Sequence, residues 1–145
     1  MTLYFKNVVL RKRCLGQRIA LITAGILFVV SLCYLLINPG ALKITDDSRT
    51  LTFLAFFFGS VITLSLLFYN QDILSAILPV ISLILYALGW GRMLYLTAYP
   101  LADKITGVNW FGGNLAIFLT FFILFGLGTV AHIVSLFLPQ TEGER

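Results

Sequence analysis

Few residues in this chain can hold a charge or move a proton, and they stand out against an apolar background. Arg92 interrupts the otherwise uncharged run "ISLILYALGWGRMLYLTAYP", residues 81–100. An arginine in such a place either marks the end of a membrane span, its long side chain reaching the head groups, or serves a site. On the side where Arg92 is expected, Asp46, Asp47 and Asp103 are set against Arg49, Arg92 and Lys104. That set offers two chemistries. Arg49 and Arg92 clamp Asp47 and Asp103 in structural ion pairs above a bundle, or they present planar guanidinium groups to an anion.

His132 is the only histidine. It falls about two turns from the end of the last apolar block, where an ionisable group is a functional candidate. The alternative is a neutral imidazole bonded to Ser135, to a backbone carbonyl or to a lipid head group. The apolar blocks hold no carboxylate, which removes a proton relay of acidic side chains. Cys14 and Cys33, the only cysteines, would lie roughly 28 Å apart on one helix, too far for a disulfide. With a single histidine they form no zinc or haem signature, so no metal and no cofactor are expected. No HExxH motif and no nucleophile with base and orienter can be assembled, and no catalytic residue is expected.

The elements that must position these residues follow from composition. Hydrophobic residues make up 59% and charged residues 11% of the 145, against roughly 45–50% and about 25% in a soluble domain. The apolar residues come in four blocks long enough to cross a hydrocarbon core of about 30 Å as helices. They run over residues 19–37, 51–69, 73–92 and 114–138, punctuated by "NPG", "NQD", "FGG" and Pro139. No ten-residue alternation suggests a barrel strand. The expected fold is all-α, a single integral membrane four-helix bundle.

Lys6, Arg11, Lys12, Arg13 and Arg18 precede the first block, which predicts a cytoplasmic N-terminus and, after four spans, a cytoplasmic C-terminus. The first block is longer than a signal-peptide core and no A-x-A site follows, so it reads as a retained anchor. Residues 2–17 mix Tyr4, Phe5 and Val8 with basic side chains, as a segment lying on an anionic leaflet would. That placement accounts for the net charge of +4 without nucleic acid. Trp90, Tyr95, Tyr99, Trp110 and Phe111 read as an aromatic belt at the outer interface. Thr106–Asn114, "TGVNWFGGN", reads as a turn over the bundle mouth.

Two stripes recur at helical spacing. Ser75, Pro79, Ser82, Tyr86 and Gly89 share one face of the third block, and Asn114, Phe118, Phe121, Phe125, Gly128, His132 and Ser135 share one face of the fourth. Gly59, Ser60, Thr63 and Ser65 add similar material in the second. Small and hydroxyl-bearing residues let membrane helices approach closely. The same stripe would also line a pocket.

"DDSRTLTFLAFFFGSVITL", residues 46–64, and "GWGRMLYLTAYP", with Gly91 and Arg92 closing the third block, resemble a family of small bacterial four-span inner-membrane proteins of unknown function, distantly similar in layout to the DoxX-like proteins. The resemblance covers residues 36–127. It implies a helical fold and an inner-membrane location, and it singles out Asp47, Arg49, Arg92 and Pro100. The expected function is non-enzymatic: an accessory subunit of a membrane complex or a small lipid- or hydrophobe-binding bundle. The alternatives are an oligomeric transporter or channel protomer and a lipid- or quinone-linked enzyme subunit. The expected partners are the lipid bilayer and either another membrane protein or a second copy.

Overall fold

A computed structural model of the protein describes residues 14–37, 46–68, 72–108 and 114–139. These residues form four helices: α1 Leu15–Leu36, α2 Asp46–Ser65, α3 Asp72–Thr106 and α4 Leu115–Leu136. There is no strand among the described residues. α1, residues 76–106 of α3, and α4 are each long and apolar enough to cross a membrane. The apolar part of α2, Arg49–Ser65, is shorter, roughly 26 Å at 1.5 Å per residue.

Three helix ends have an identifiable cause. Asn114 caps α4, its Oδ1 accepting from the N–H groups of Ala116 at 3.0 Å and Ile117 at 3.4 Å, which satisfies donors that the first turn leaves open. α3 stops at Gly107, whose φ of +71° is the left-handed conformation that ends many helices. At the end of α1 the cap is supplied from another helix. Arg49 of α2 donates through Nη1 to the Ile37 carbonyl at 2.9 Å and points toward the Leu35 carbonyl at 3.5 Å, so a cation meets the negative end of the α1 dipole.

Three of the expected blocks match their helices closely, and the third does not. The span expected to close at Arg92 continues unbroken to Thr106, so Tyr99, Pro100, Asp103 and Lys104, expected in a loop, are helical. The continuation "MLYLTAY" contains good helix formers, and neither Arg92 nor Pro100 ends the helix; the stop is Gly107. At 35 residues α3 is about 52 Å long. Of the segment expected at 2–17, Leu15, Gly16 and Gln17 open α1; residues 1–13, the links around "NPG" and "NQD", and Trp110 and Phe111 lie outside the described residues.

The helices form a ring in which each packs mainly on its two neighbours: α1 on α2 and α4, α3 on α2 and α4. Three of these four contacts are built on glycine. A Cβ on Gly59 would stand 2.7 Å from the Tyr86 ring, and one on Gly89 would stand 2.8 Å from the Phe56 ring, so α2 and α3 each receive an aromatic from the other. A Cβ on Gly128 would collide with Leu27 of α1. At Gly126 it would meet the Trp90 indole at 3.0 Å, and the missing side chain lets Trp90 Nε1 donate to the Phe122 carbonyl at 3.3 Å. Close approach through small residues is how helices pack where apolar surface gains little from leaving lipid. Trp90, expected in the interfacial belt, is half-buried against α4.

The interior has two parts. Tyr34, Phe56, Phe118, Phe121 and Phe125 fill one end, with Phe56 stacked on Phe125 at 3.9 Å between centroids. Toward the other end Thr23, Ser60, Thr63, Ser82, Thr129, His132 and Ser135 are buried. Three of these hydroxyls bond their own helix: Ser82 to the Leu78 carbonyl at 2.9 Å, Thr129 to Phe125 at 2.8 Å and Ser135 to His132 at 2.6 Å. Satisfied within the helix, they are compatible with an apolar surrounding. The outward faces are apolar as well, with Ile22, Ile26, Phe58, Ile84, Leu127 and Val130 exposed, the pattern of helices that face hydrocarbon.

Candidate functional site

A cleft runs along the outer side of the α2–α3 pair. From α2 come Leu51, Leu54, Ala55 and Phe58, at helical spacings of three, one and three, and from α3 come Leu85, Ala87, Leu88, Gly89, Gly91, Arg92 and Tyr95. The floor is open because Ala55, Ala87 and Gly91 are small while the leucines and Phe58 stand up beside them. A Cβ at Gly91 would touch nothing within 4 Å. The space measures about 730 Å³, within the range of roughly 300–1,000 Å³ common to ligand sites.

Its polarity is one-ended. The antiparallel register, Gly59 against Tyr86 and Gly89 against Phe56, sets Phe53 level with Arg92 and Phe58 level with Ala87. Arg92 and Tyr95 therefore close one end, and only alkyl and phenyl groups line the rest. The Arg92 guanidinium carbon lies 5.5 Å from the centre of the Tyr95 ring, within cation–π range. Tyr95 and Tyr99 share a hydrogen bond between hydroxyls, 2.9 Å apart. Arg92, Tyr95 and Tyr99 thus form one column up α3.

The residues of the expected outer cluster lie on α2 and α3. Arg49 is committed to the end of α1. Arg92 lines the cleft. Asp103 lies on the same helix as Arg92 but about 16 Å further along its axis, which separates the two. Asp46 and Asp47 open α2, and their side chains lie outside the described residues.

His132 is fully buried among helices. Its Nε2 lies 3.0 Å from the Pro79 carbonyl, and a carbonyl only accepts, so the proton sits on Nε2 and Nδ1 is bare. Nδ1 is buried with no hydrogen-bond partner. The ring meets Tyr86 edge-on at 5.1 Å, and Tyr86 donates to Ser60 Oγ at 3.2 Å. Of the bonding partners expected for His132, the backbone carbonyl is present, and Ser135 is bonded to the His132 backbone instead.

Among the described residues no three of His, Cys, Asp or Glu come together as metal ligands would. Cys14 is buried, Cys33 is exposed, and both are free. No family model, curated protein or solved structure matches this chain. The site therefore rests on its own chemistry. Sequence reasoning named Arg92 and missed Tyr95 as its companion and the leucines and small residues of the cleft. The i, i+3, i+4, i+7 series Leu88, Gly91, Arg92, Tyr95 is visible in the sequence; its pairing with Leu51, Leu54 and Phe58 is not.

Proposed function

We propose that this chain is a bacterial inner-membrane protein, a four-span bundle with both termini in the cytoplasm, and that it binds a lipid-like molecule in the cleft between α2 and α3. The observation that carries the binding reading is the cleft itself: an apolar trough of about 730 Å³ with a single cation at one end. No enzymatic step is part of the proposal. The span count is supported by the apolar outward face of α2, where Leu51, Phe58 and Val61 are exposed. Its short apolar length is compatible with spanning if the bilayer thins or flanking groups reach outward. The orientation is supported by the four basic residues before α1 and Arg18 in its first turn and by the Gly16 N–H donating to the Pro139 carbonyl at 3.2 Å, which puts the start of α1 beside the end of α4.

The test is a photoreactive acyl-chain lipid added to the protein in vesicles. It is expected to label residues 51–58 and 85–95 at about one lipid per chain. Gly91→Leu fills the cleft from a position with open space and should lose that labelling with unchanged thermal stability. Labelling spread evenly over all four helices, insensitive to Gly91→Leu, removes the reading.

A second reading, the accessory subunit, is favoured by the far end of α3. By the packing register, α2 begins and α4 starts near the level of Tyr99, and α3 continues to Thr106 with Leu101 and Ile105 exposed. An apolar protrusion of this kind suits a contact with another membrane protein. Crosslinks from Ile105→Cys to one defined neighbour, lost with Ile105→Asp, would support it.

A further inference from the structure

We infer that the interior of the ring holds a water-binding site, in which one water molecule donates to His132 Nδ1 and bonds Thr63 Oγ1 across the bundle. The site is independent of the α2–α3 cleft. Two buried polar atoms carry the inference. His132 Nε2 is committed to the Pro79 carbonyl at 3.0 Å, which makes Nδ1 an acceptor, and no described residue donates to it. Thr63 Oγ1 approaches the Tyr86 hydroxyl, but the contact falls short of a hydrogen bond, so this oxygen is also buried without a partner among the described residues. Both residues are wholly enclosed. Orphaned buried polar atoms are rare in folded proteins, and inside a bundle surrounded by hydrocarbon they are costly.

The packing register sets the two atoms at one level. α2 and α4 are each antiparallel to α3, so they run in the same direction on opposite sides of the ring. Phe56 of α2 stacks on Phe125 of α4 at 3.9 Å between centroids, and seven residues further along each helix, two turns on, come Thr63 and His132. The other two helices agree. Tyr86 rests on Gly59, which puts Thr63 level with Ser82, and Leu27 faces Gly128, which puts Thr23 level with His132. His132 itself bonds Pro79 and meets the Tyr86 ring edge-on at 5.1 Å, so it lies between them, beside Ser82. Each helix therefore gives this layer one buried polar residue: Thr23, Thr63, Ser82 and His132. Ser82 is satisfied by the Leu78 carbonyl at 2.9 Å and Tyr86 by Ser60 at 3.2 Å, and the unmet demand falls on Thr63 and His132. Water meets it: one molecule donates to the imidazole nitrogen, exchanges a bond with the threonine hydroxyl, and spans about 5 Å between partners with two ordinary hydrogen bonds.

The deciding experiment is a crystal structure of the whole chain from a lipidic mesophase, at a resolution that shows ordered water, joined to nitrogen NMR spectra of His132 in bilayers. The expected density is a single peak within about 3.2 Å of both His132 Nδ1 and Thr63 Oγ1, and Nδ1 should resonate as a hydrogen-bonded acceptor. Thr63→Val, close in shape but without the hydroxyl, should lose the peak and move the Nδ1 resonance to that of a bare imidazole nitrogen, while Nε2 keeps its proton. Thr63→Ser should keep both the peak and the resonance, which separates loss of the hydroxyl from loss of the fold. In the unmodified protein, a bare Nδ1 resonance, or Thr63 Oγ1 bonded directly to Nδ1 with no peak between them, overturns the inference. A peak or an Nδ1 resonance unchanged in Thr63→Val overturns it as well. None of these outcomes bears on acyl-chain labelling of the α2–α3 cleft, so the two readings fail separately.

Discussion

Arg49 and Arg92 look alike in the sequence, each a lone arginine bordering an apolar run, and the structure gives them different work. Arg49 ends as a tertiary cap, donating to the Ile37 carbonyl at 2.9 Å. Replacing it with glutamine should destabilise the bundle by roughly 1–3 kcal/mol, because a charge-assisted bond is lost and a helix-end carbonyl is left open; unfolding in mixed micelles measures this. Arg49→Gln should leave acyl-chain labelling of the α2–α3 cleft intact, while Gly91→Leu should remove that labelling with stability unchanged. His132 gives a third contrast. His132→Phe keeps a ring against Tyr86 but removes the donor to Pro79, and about 1 kcal/mol of stability should go with it. The candidate residues Arg49, Arg92 and His132 were legible from charge in apolar surroundings, whereas their separate roles depend on which helix lies opposite, which periodicity does not encode.

At the scale of the helix, the inward stripes were the most readable part of the sequence. Pro79, Ser82, Tyr86 and Gly89 of α3 and Phe118, Phe121, Phe125, His132 and Ser135 of α4 are all buried; Ser75 has no described side chain. These residues pack between helices, the Ser82 and Ser135 hydroxyls bonded within their own helices and the Tyr86 hydroxyl donating across to Ser60 of α2. The reach of α3 was not readable, because Arg92 and Pro100 both look like ends and the effective stop is Gly107. The cleft was hidden for a related reason: its floor is three small residues contributed by two helices. These differences between glycines can be measured. Gly59→Leu should destabilise by about 1–3 kcal/mol or prevent folding, since its side chain would meet both the Tyr86 ring at 2.7 Å and the Ser82 backbone carbonyl at 3.3 Å. Gly25→Leu, with nothing within 4 Å, should be tolerated. A common unfolding assay for both variants checks the pair, and a similar loss at each would contradict the packing.

On the scale of the whole molecule, the ring of four helices makes orientation a single question. If the termini are cytoplasmic, Lys104→Cys, on the part of α3 beyond its neighbours, should react with a membrane-impermeant maleimide added to intact cells. Arg18→Cys, exposed in the first turn of α1, should be protected in the same cells; the reverse pattern would invert the bundle. The ring also has a seam with a history. α1 and α4 pack through Leu27 against Gly128 and Tyr34 against Phe121 and Phe125, so synthesis joins the first helix made to the last. Until α4 leaves the ribosome, the α1 face that bears Thr23, Leu27 and Tyr34 lacks its partner, and α2 with α3 is the only helix pair able to close early on both its glycine contacts. Insertion in chain order therefore passes through an open three-helix stage, which ends when Gly128 arrives opposite Leu27.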